Sequence, residues 1–146
     1  MMMRTKLREK PLSDTTPEMA VRRILESLPP PLNSFTSQAP IKTRFSIHTF
    51  IIDFKLASRL VIEVHGDHSA KWHTKSRQAK DEAKTNCLLS SFYKVIDIIG
   101  TKRQIEKMRD NIAHWINLVH VSNFEYTYLE CSPKGNKLYV GHTYDH

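Results

Sequence analysis

Two acids and a run of imidazoles are the residues through which this chain could do chemistry. Asp53 interrupts the apolar run Phe50-Ile51-Ile52, and Glu63 follows a second one, Leu60-Val61-Ile62. A carboxylate in such a run is costly unless it is bound or paired. On neighbouring antiparallel strands the two acids would converge on one point. Convergent oxygens suit a hard cation such as magnesium, held at about 2.1 Å with several waters retained. Such a cation can activate a water and neutralise charge developing on a phosphate oxygen. His65, His68 and His73 follow within nine positions, and imidazole is the natural proton acceptor near neutral pH. Asp81 lies a short way beyond. Plainer readings exist for each: an exposed strand-end acid, a solvated surface histidine, an Asp81 paired with Lys80 or Lys84 on a helix face. The facing acids and the crowded histidines favour chemistry.

The elements that must position these groups can be read from the pattern around them. Thr16-Pro17-Glu18 opens a helix: Thr16 can cap, Pro17 suits the first position, and Glu18 places an anion in the first turn. Val21, Ile24, Leu25 and Leu28 then form one stripe, and Pro29-Pro30-Pro31 ends it. Residues 35–41 read as a short edge strand. Residues 44–56 alternate, with Phe45, Ile47, Thr49 and Ile51 on one side, and Ala57-Ser58-Arg59 turns the chain into an antiparallel return over 60–65. Residues 66–76 are a polar loop and 78–92 a helix with Asp81, Thr85, Leu88 and Phe92 roughly on one face. Residues 93–99 read as a buried strand. Residues 103–120 are a single amphipathic helix with Ile105, Met108, Ile112, Trp115, Ile116 and Val119 in register. Residues 124–130 and 137–144 form a closing hairpin. The order is that of an α/β protein.

Composition narrows the class. With 146 residues the chain has the length of one ordinary domain with one core. Lys and Arg number 22 against 15 Asp and Glu, a net charge of +7 that favours a polyanion such as nucleic acid. A basic surface kept for solubility is the rival explanation. Cys87 and Cys131 are far apart with no CxxC pair, which argues against a cysteine-held zinc and for two reduced thiols. Neither a membrane span nor the apolar core of a signal peptide is seen, so a cytoplasmic protein is expected.

In this order the pieces resemble the very-short-patch-repair branch of the PD-(D/E)XK nucleases, and among these the phage homing endonucleases with an E-D-xH-D motif. The resemblance covers roughly residues 15–99. It runs from Thr16-Pro17-Glu18 through Phe35-Thr36-Ser37-Gln38-Ala39-Pro40-Ile41 and Ile52-Asp53-Phe54 to Val61-Ile62-Glu63-Val64-His65-Gly66-Asp67. It continues through Trp72-His73 and Lys80-Asp81-Glu82-Ala83-Lys84, and ends at Tyr93-Lys94-Val95-Ile96. What it implies is a single nuclease core, a mixed central sheet flanked by helices, with a C-terminal helix and β-hairpin. Asp53 would bind magnesium, or manganese, helped by Glu63 or the Val64 main-chain carbonyl. His65 would assist catalysis where ordinary members of the superfamily carry lysine. A second histidine, His68 or His73, would be the general base, and Glu18 and Asp81 would orient histidines or water. The sequence departs from the family in the spacing of that second histidine, which leaves the base open between the two. The structural-zinc residues of the repair enzyme are also absent.

The expected organisation is a basic arm over 1–14, a nuclease core over 15–120, and a hairpin appendage over 121–146. Lys102 and Arg103 on the long helix, and Lys134 and Lys137 on the hairpin, are the candidate contacts to DNA phosphates; a solvated charged face is their alternative. The hairpin could enter a groove or add strands to a homodimer. The reading is a metal-dependent endonuclease cutting or nicking duplex DNA, sequence-specific and phage-like. A repair nuclease selecting DNA structure and a non-catalytic basic DNA-binding module are the alternatives.

Overall fold

The computed structural model describes residues 16–66 and 75–144, with the backbone alone over 75–80. The loop histidines His68 and His73, and the arm over 1–14, lie outside the described residues. Helix α1 (Pro17–Glu26) begins as its sequence predicts: the Thr16 hydroxyl accepts from the Met19 N–H at 3.2 Å. Strands β1 (Phe35–Lys42), β2 (Thr49–Leu56) and β3 (Leu60–His65) follow, the last two joined by the one-turn helix Ala57–Arg59. Helix α2 (Lys75–Ser90) leads to β4 (Lys94–Ile99). Helices α3 (Lys102–Lys107) and α4 (Arg109–Val121) precede β5 (Phe124–Cys131) and β6 (Leu138–Tyr144).

All six strands form one mixed sheet in sequence order. β3, β4 and β5 run parallel, while β1–β2, β2–β3 and β5–β6 pair antiparallel. The architecture is the expected α/β one. A parallel centre needs both faces covered, and both are. The larger core lies under α1, α3 and α4, where Val21, Leu25, Ile105, Ile112 and Ile116 meet Phe54, Ile62, Ile96 and Ile98. The smaller one lies under α2, where Leu88 meets Ile41, Ile52, Val61 and Val95. Among the described residues, no helix is long and apolar enough to cross a membrane.

Three local expectations are corrected. Residues 44–48 are not strand but the turn between β1 and β2, and Phe45 and Ile47 stand in solvent; their alternation imitates a half-buried strand without a layer to bury it. The helix expected over 103–120 is two, broken at Met108 (φ −101°, ψ 15°), whose side chain stays in the core so that the stripe runs on across the break. Phe92 is outside α2, in the left-handed region (φ 67°) and exposed.

The parallel strands end at His65, Ile99 and Cys131, on one edge of the sheet. The turns beyond them are tied together there. The His65 carbonyl accepts from the Gly100 N–H at 2.9 Å, and Pro17 of α1 packs beside Gly66. Thr101 and Gln104 form a capping box at the start of α3. The Gln104 side chain donates to the Pro133 carbonyl and Lys107 to that of Lys134, which pins the β5–β6 turn to the same edge.

Candidate active site

Asp53 sits where the sheet comes apart. The β2–β3 ladder holds from Leu56↔Leu60 to Phe54↔Ile62 and goes no further. In place of the next rung, the Asp53 N–H donates to Glu63 Oε2 at 2.9 Å, and the Val64 N–H donates to Asp53 Oδ2 at 2.7 Å. The side chains thus take over the backbone groups that the parted strands would otherwise orphan. On the other side, the β1–β2 ladder skips from Ser37↔Phe54 to Ala39↔Ile52. Gln38, opposite Asp53, has φ 50°. Phe54 therefore packs in the larger core and Ile52, two residues away, in the smaller one. A non-glycine residue held at positive φ stores strain of the kind found at functional sites.

The Gln38 amide donates to Glu18 Oε2 at 3.1 Å and to Asp53 Oδ1 at 3.5 Å. Lys84 of α2 donates to Glu63 Oε1 in a close ion pair. Three carboxylates, Glu18, Asp53 and Glu63, thus share one locality with one ammonium. The electrostatic result is a carboxyl reluctant to ionise: burial first, then the charge of Glu63, push the Asp53 pKa from 3.8 up to about 7, against the lowering by the Val64 N–H. Glu18 is also raised, by burial and then by Glu63.

Beside this group, on the α2 face of the sheet, stands a second set. His65 Nε2 lies 3.1 Å from Asp97 Oδ1, and the Tyr126 hydroxyl donates to Asp97 Oδ2 at 2.7 Å. Burial alone would lower the His65 pKa, but the hydrogen bond and charge of Asp97, with Asp81 and Glu63 behind, outweigh it and raise it. The upward shift extends the pH range over which the ring is an imidazolium, a group able to neutralise an anion or donate a proton. Asp81, Asp97 and Tyr126 line a cavity of ≈ 490 Å³ that opens next to it.

The sequence-derived candidates divide accordingly. Glu18, Asp53 and Glu63 come together, His65 stands next to them, and Asp81 is near enough to act on His65 through space. Asp97, which hydrogen-bonds the His65 ring, was missed, although it interrupts Val95-Ile96 and Ile98-Ile99 much as Asp53 interrupts its own run. Lys84 faces the sheet and pairs with Glu63, where a solvated pairing with Asp81 had been the plain reading. Nothing in the sequence alone placed Gln38 or Tyr126 at this site. Lys102 and Arg103 start α3 at the edge where β3 and β4 end, and the turn bearing Lys134 and Lys137 lies at the same edge. Lys102 also reaches Glu106 at 3.3 Å and Lys137 lies over the Tyr139 ring.

Among the described residues, no three His, Cys, Asp or Glu side chains close up into a ready metal cage. The donor set nevertheless fits a cation of the magnesium type, which takes one or two carboxylates and keeps its waters. Asp53 Oδ1 receives a long contact from Gln38, and burial together with the neighbouring Glu63 charge makes its carboxylate costly to ionise, a cost that a bound cation would offset.

No family model matches the sequence, and no curated protein matches it. Among solved structures, the chain is similar to the catalytic domain of the homing endonuclease I-Bth0305I. The two are 24% identical with a TM-score of 0.53, over 73% of this chain and 95% of that one. At that identity the likeness is one of architecture: this chain has the fold of a homing-endonuclease catalytic domain.

Proposed function

We propose that this protein is a metal-dependent DNA endonuclease that hydrolyses phosphodiester bonds in duplex DNA, and that it works as a sequence-specific, free-standing homing endonuclease. The observation that carries the reading is Asp53, set in the gap between two parted strands with its pKa raised, beside the His65–Asp97 pair. Its occurrence on a homing-endonuclease fold supports the same reading.

Asp53 and the Val64 main-chain carbonyl would hold the cation, with Glu63 joining once it gives up Lys84. The ion supplies Lewis-acid polarisation of the phosphate and a more acidic water. The rest falls to the chain. Gln38 and the Val64 N–H fix the Asp53 carboxylate, and Glu63 ties β2 to β3 across the gap. Asp97, itself steadied by Tyr126, holds His65 as a cation facing the developing phosphate charge or the leaving oxygen. His68 and His73 remain the proposed bases, and Lys102, Arg103, Lys134 and Lys137 the proposed phosphate contacts along the same edge.

One observation favours a second reading, a non-catalytic DNA-binding module: both Glu63 oxygens are engaged within the protein. Supercoiled plasmid incubated with magnesium separates the two. The endonuclease reading predicts nicking by the parent that is lost in Asp53→Ala while DNA binding persists. Binding by both proteins, with no cutting of any DNA from a library of natural fragments, would leave the binding module standing.

A further inference from the structure

The outer half of the β1–β2 hairpin has one face covered and one bare. Ala39 and Ile41 with their partners Ile52 and Phe50 turn toward α2. The opposite face is built from the pairs Pro40↔Ile51 and Lys42↔Thr49, and it is exposed. It runs on directly from the Gln38–Asp53 position, so the catalytic carboxylate is the inner end of a solvent-facing ribbon. At the outer end stand Phe45, 53% exposed, and Ile47, 88% exposed, with Ile51 at 48% between them and Asp53. Apolar side chains of this size at such exposure, grouped on one ribbon, mark an interaction surface. Its charge indicates the partner. Residues 40–51 include Lys42, Arg44 and His48 and contain no acid.

We infer that this ribbon face is a DNA-binding surface: the two-stranded element lies in a groove of the duplex next to the scissile phosphate. Lys42 and Arg44 meet the backbone, and Phe45 and Ile47 make apolar contact with the base edges. A two-stranded ribbon fits the major groove, and apolar side chains there read thymine methyl groups. The inference rests on the endonuclease reading and extends it, since it names where the duplex lies relative to Asp53. The tip is held for the purpose by local bonds, Phe45 N–H to the Thr43 hydroxyl at 3.3 Å and His48 N–H to the Ser46 hydroxyl at 3.1 Å.

The test is fluorescence anisotropy with a mixed-sequence 30-base-pair duplex, without divalent cation, over a salt series. Phe45→Ser with Ile47→Ser should weaken binding about tenfold and leave the salt slope unchanged, because apolar contact releases no counterions. Lys42→Ala with Arg44→Ala should lower the slope by about 2. All four residues are exposed, so the fold is not at stake. If the parent binds and both variants match it, the duplex lies elsewhere: the inference fails and the endonuclease reading survives. If the parent neither binds nor nicks DNA, both fail together. If the serine variant turns a dimer into a monomer with DNA binding unchanged, the apolar tip belongs to a second copy of the chain and the inference is overturned.

Discussion

Asp53 and His65 are opposite solutions to burying an ionisable group. Asp53 has hydrogen bonds but unfavourable neighbours; His65 has a matched counter-charge. A carboxyl with its folded pKa raised to about 7 contributes stability when protonated, and that contribution is lost as pH rises from the ordinary carboxyl range through 7. His65, also raised, contributes through Asp97 below its ordinary value, and this too is lost as pH rises through the folded value. Without divalent cation, the melting temperature should therefore fall between pH 5 and pH 8. Asp53→Asn should flatten that fall and raise the melting temperature at pH 8 by about 2–8 °C, while abolishing nicking. A variant no more stable than the parent at pH 8 would show that neither burial nor the Glu63 charge penalises the ionised Asp53. For the other pair, Asp97→Asn should lower the His65 pKa in a histidine NMR titration and cut the nicking rate by about 10²-fold or more. An unmoved His65 resonance would remove Asp97 from that role.

At the scale of the elements, what was legible followed from how each signal arises. The Thr16 cap, the Val21–Leu25 stripe, the β2–β3 turn and the run from Val95 to Ile99 are local patterns, and each predicted an element that exists. Residues 44–48 failed because alternation records apolar spacing and cannot say whether a second layer lies above it. The break at Met108 failed because no glycine or proline marks it and the apolar register carries on. Within the site, Asp53, Glu63 and His65 were legible as polar residues in apolar runs. Gln38, Lys84 and Tyr126 were not, since their meaning lies wholly in which strand or helix faces them. The β5–β6 turn supplies a test at this scale. Gly135 has φ 69°, and a Cβ there would stand 2.9 Å from Lys107 Cδ. Gly135→Ala should therefore cost about 1–3 kcal/mol by chemical denaturation. It should also weaken DNA binding through the displaced Lys134; unchanged stability and binding would free that turn from both roles.

Over the whole molecule, the sheet gathers the polar business of the chain at one edge. The ends of the three parallel strands, the first turn of α1, the start of α3 and the pinned basic turn all lie there, and the splayed β1–β2 ribbon leads away from it. Crevices at the carboxyl ends of parallel strands are where α/β folds place their ligands. A net charge of +7 favours association with a polyanion, and at that edge three crowded carboxylates would repel it unless a cation came between. The proposed hydrolysis depends on that cation. Calorimetric titration of the protein with manganese, in buffers of different ionisation enthalpy at pH 7, measures it most directly. One ion should bind per chain, with about half a proton released at pH 7 as the Asp53 carboxyl, its pKa raised to about 7, ionises, and Asp53→Asn should bind none. Equal binding by the two proteins, or none by the parent, would contradict the proposal.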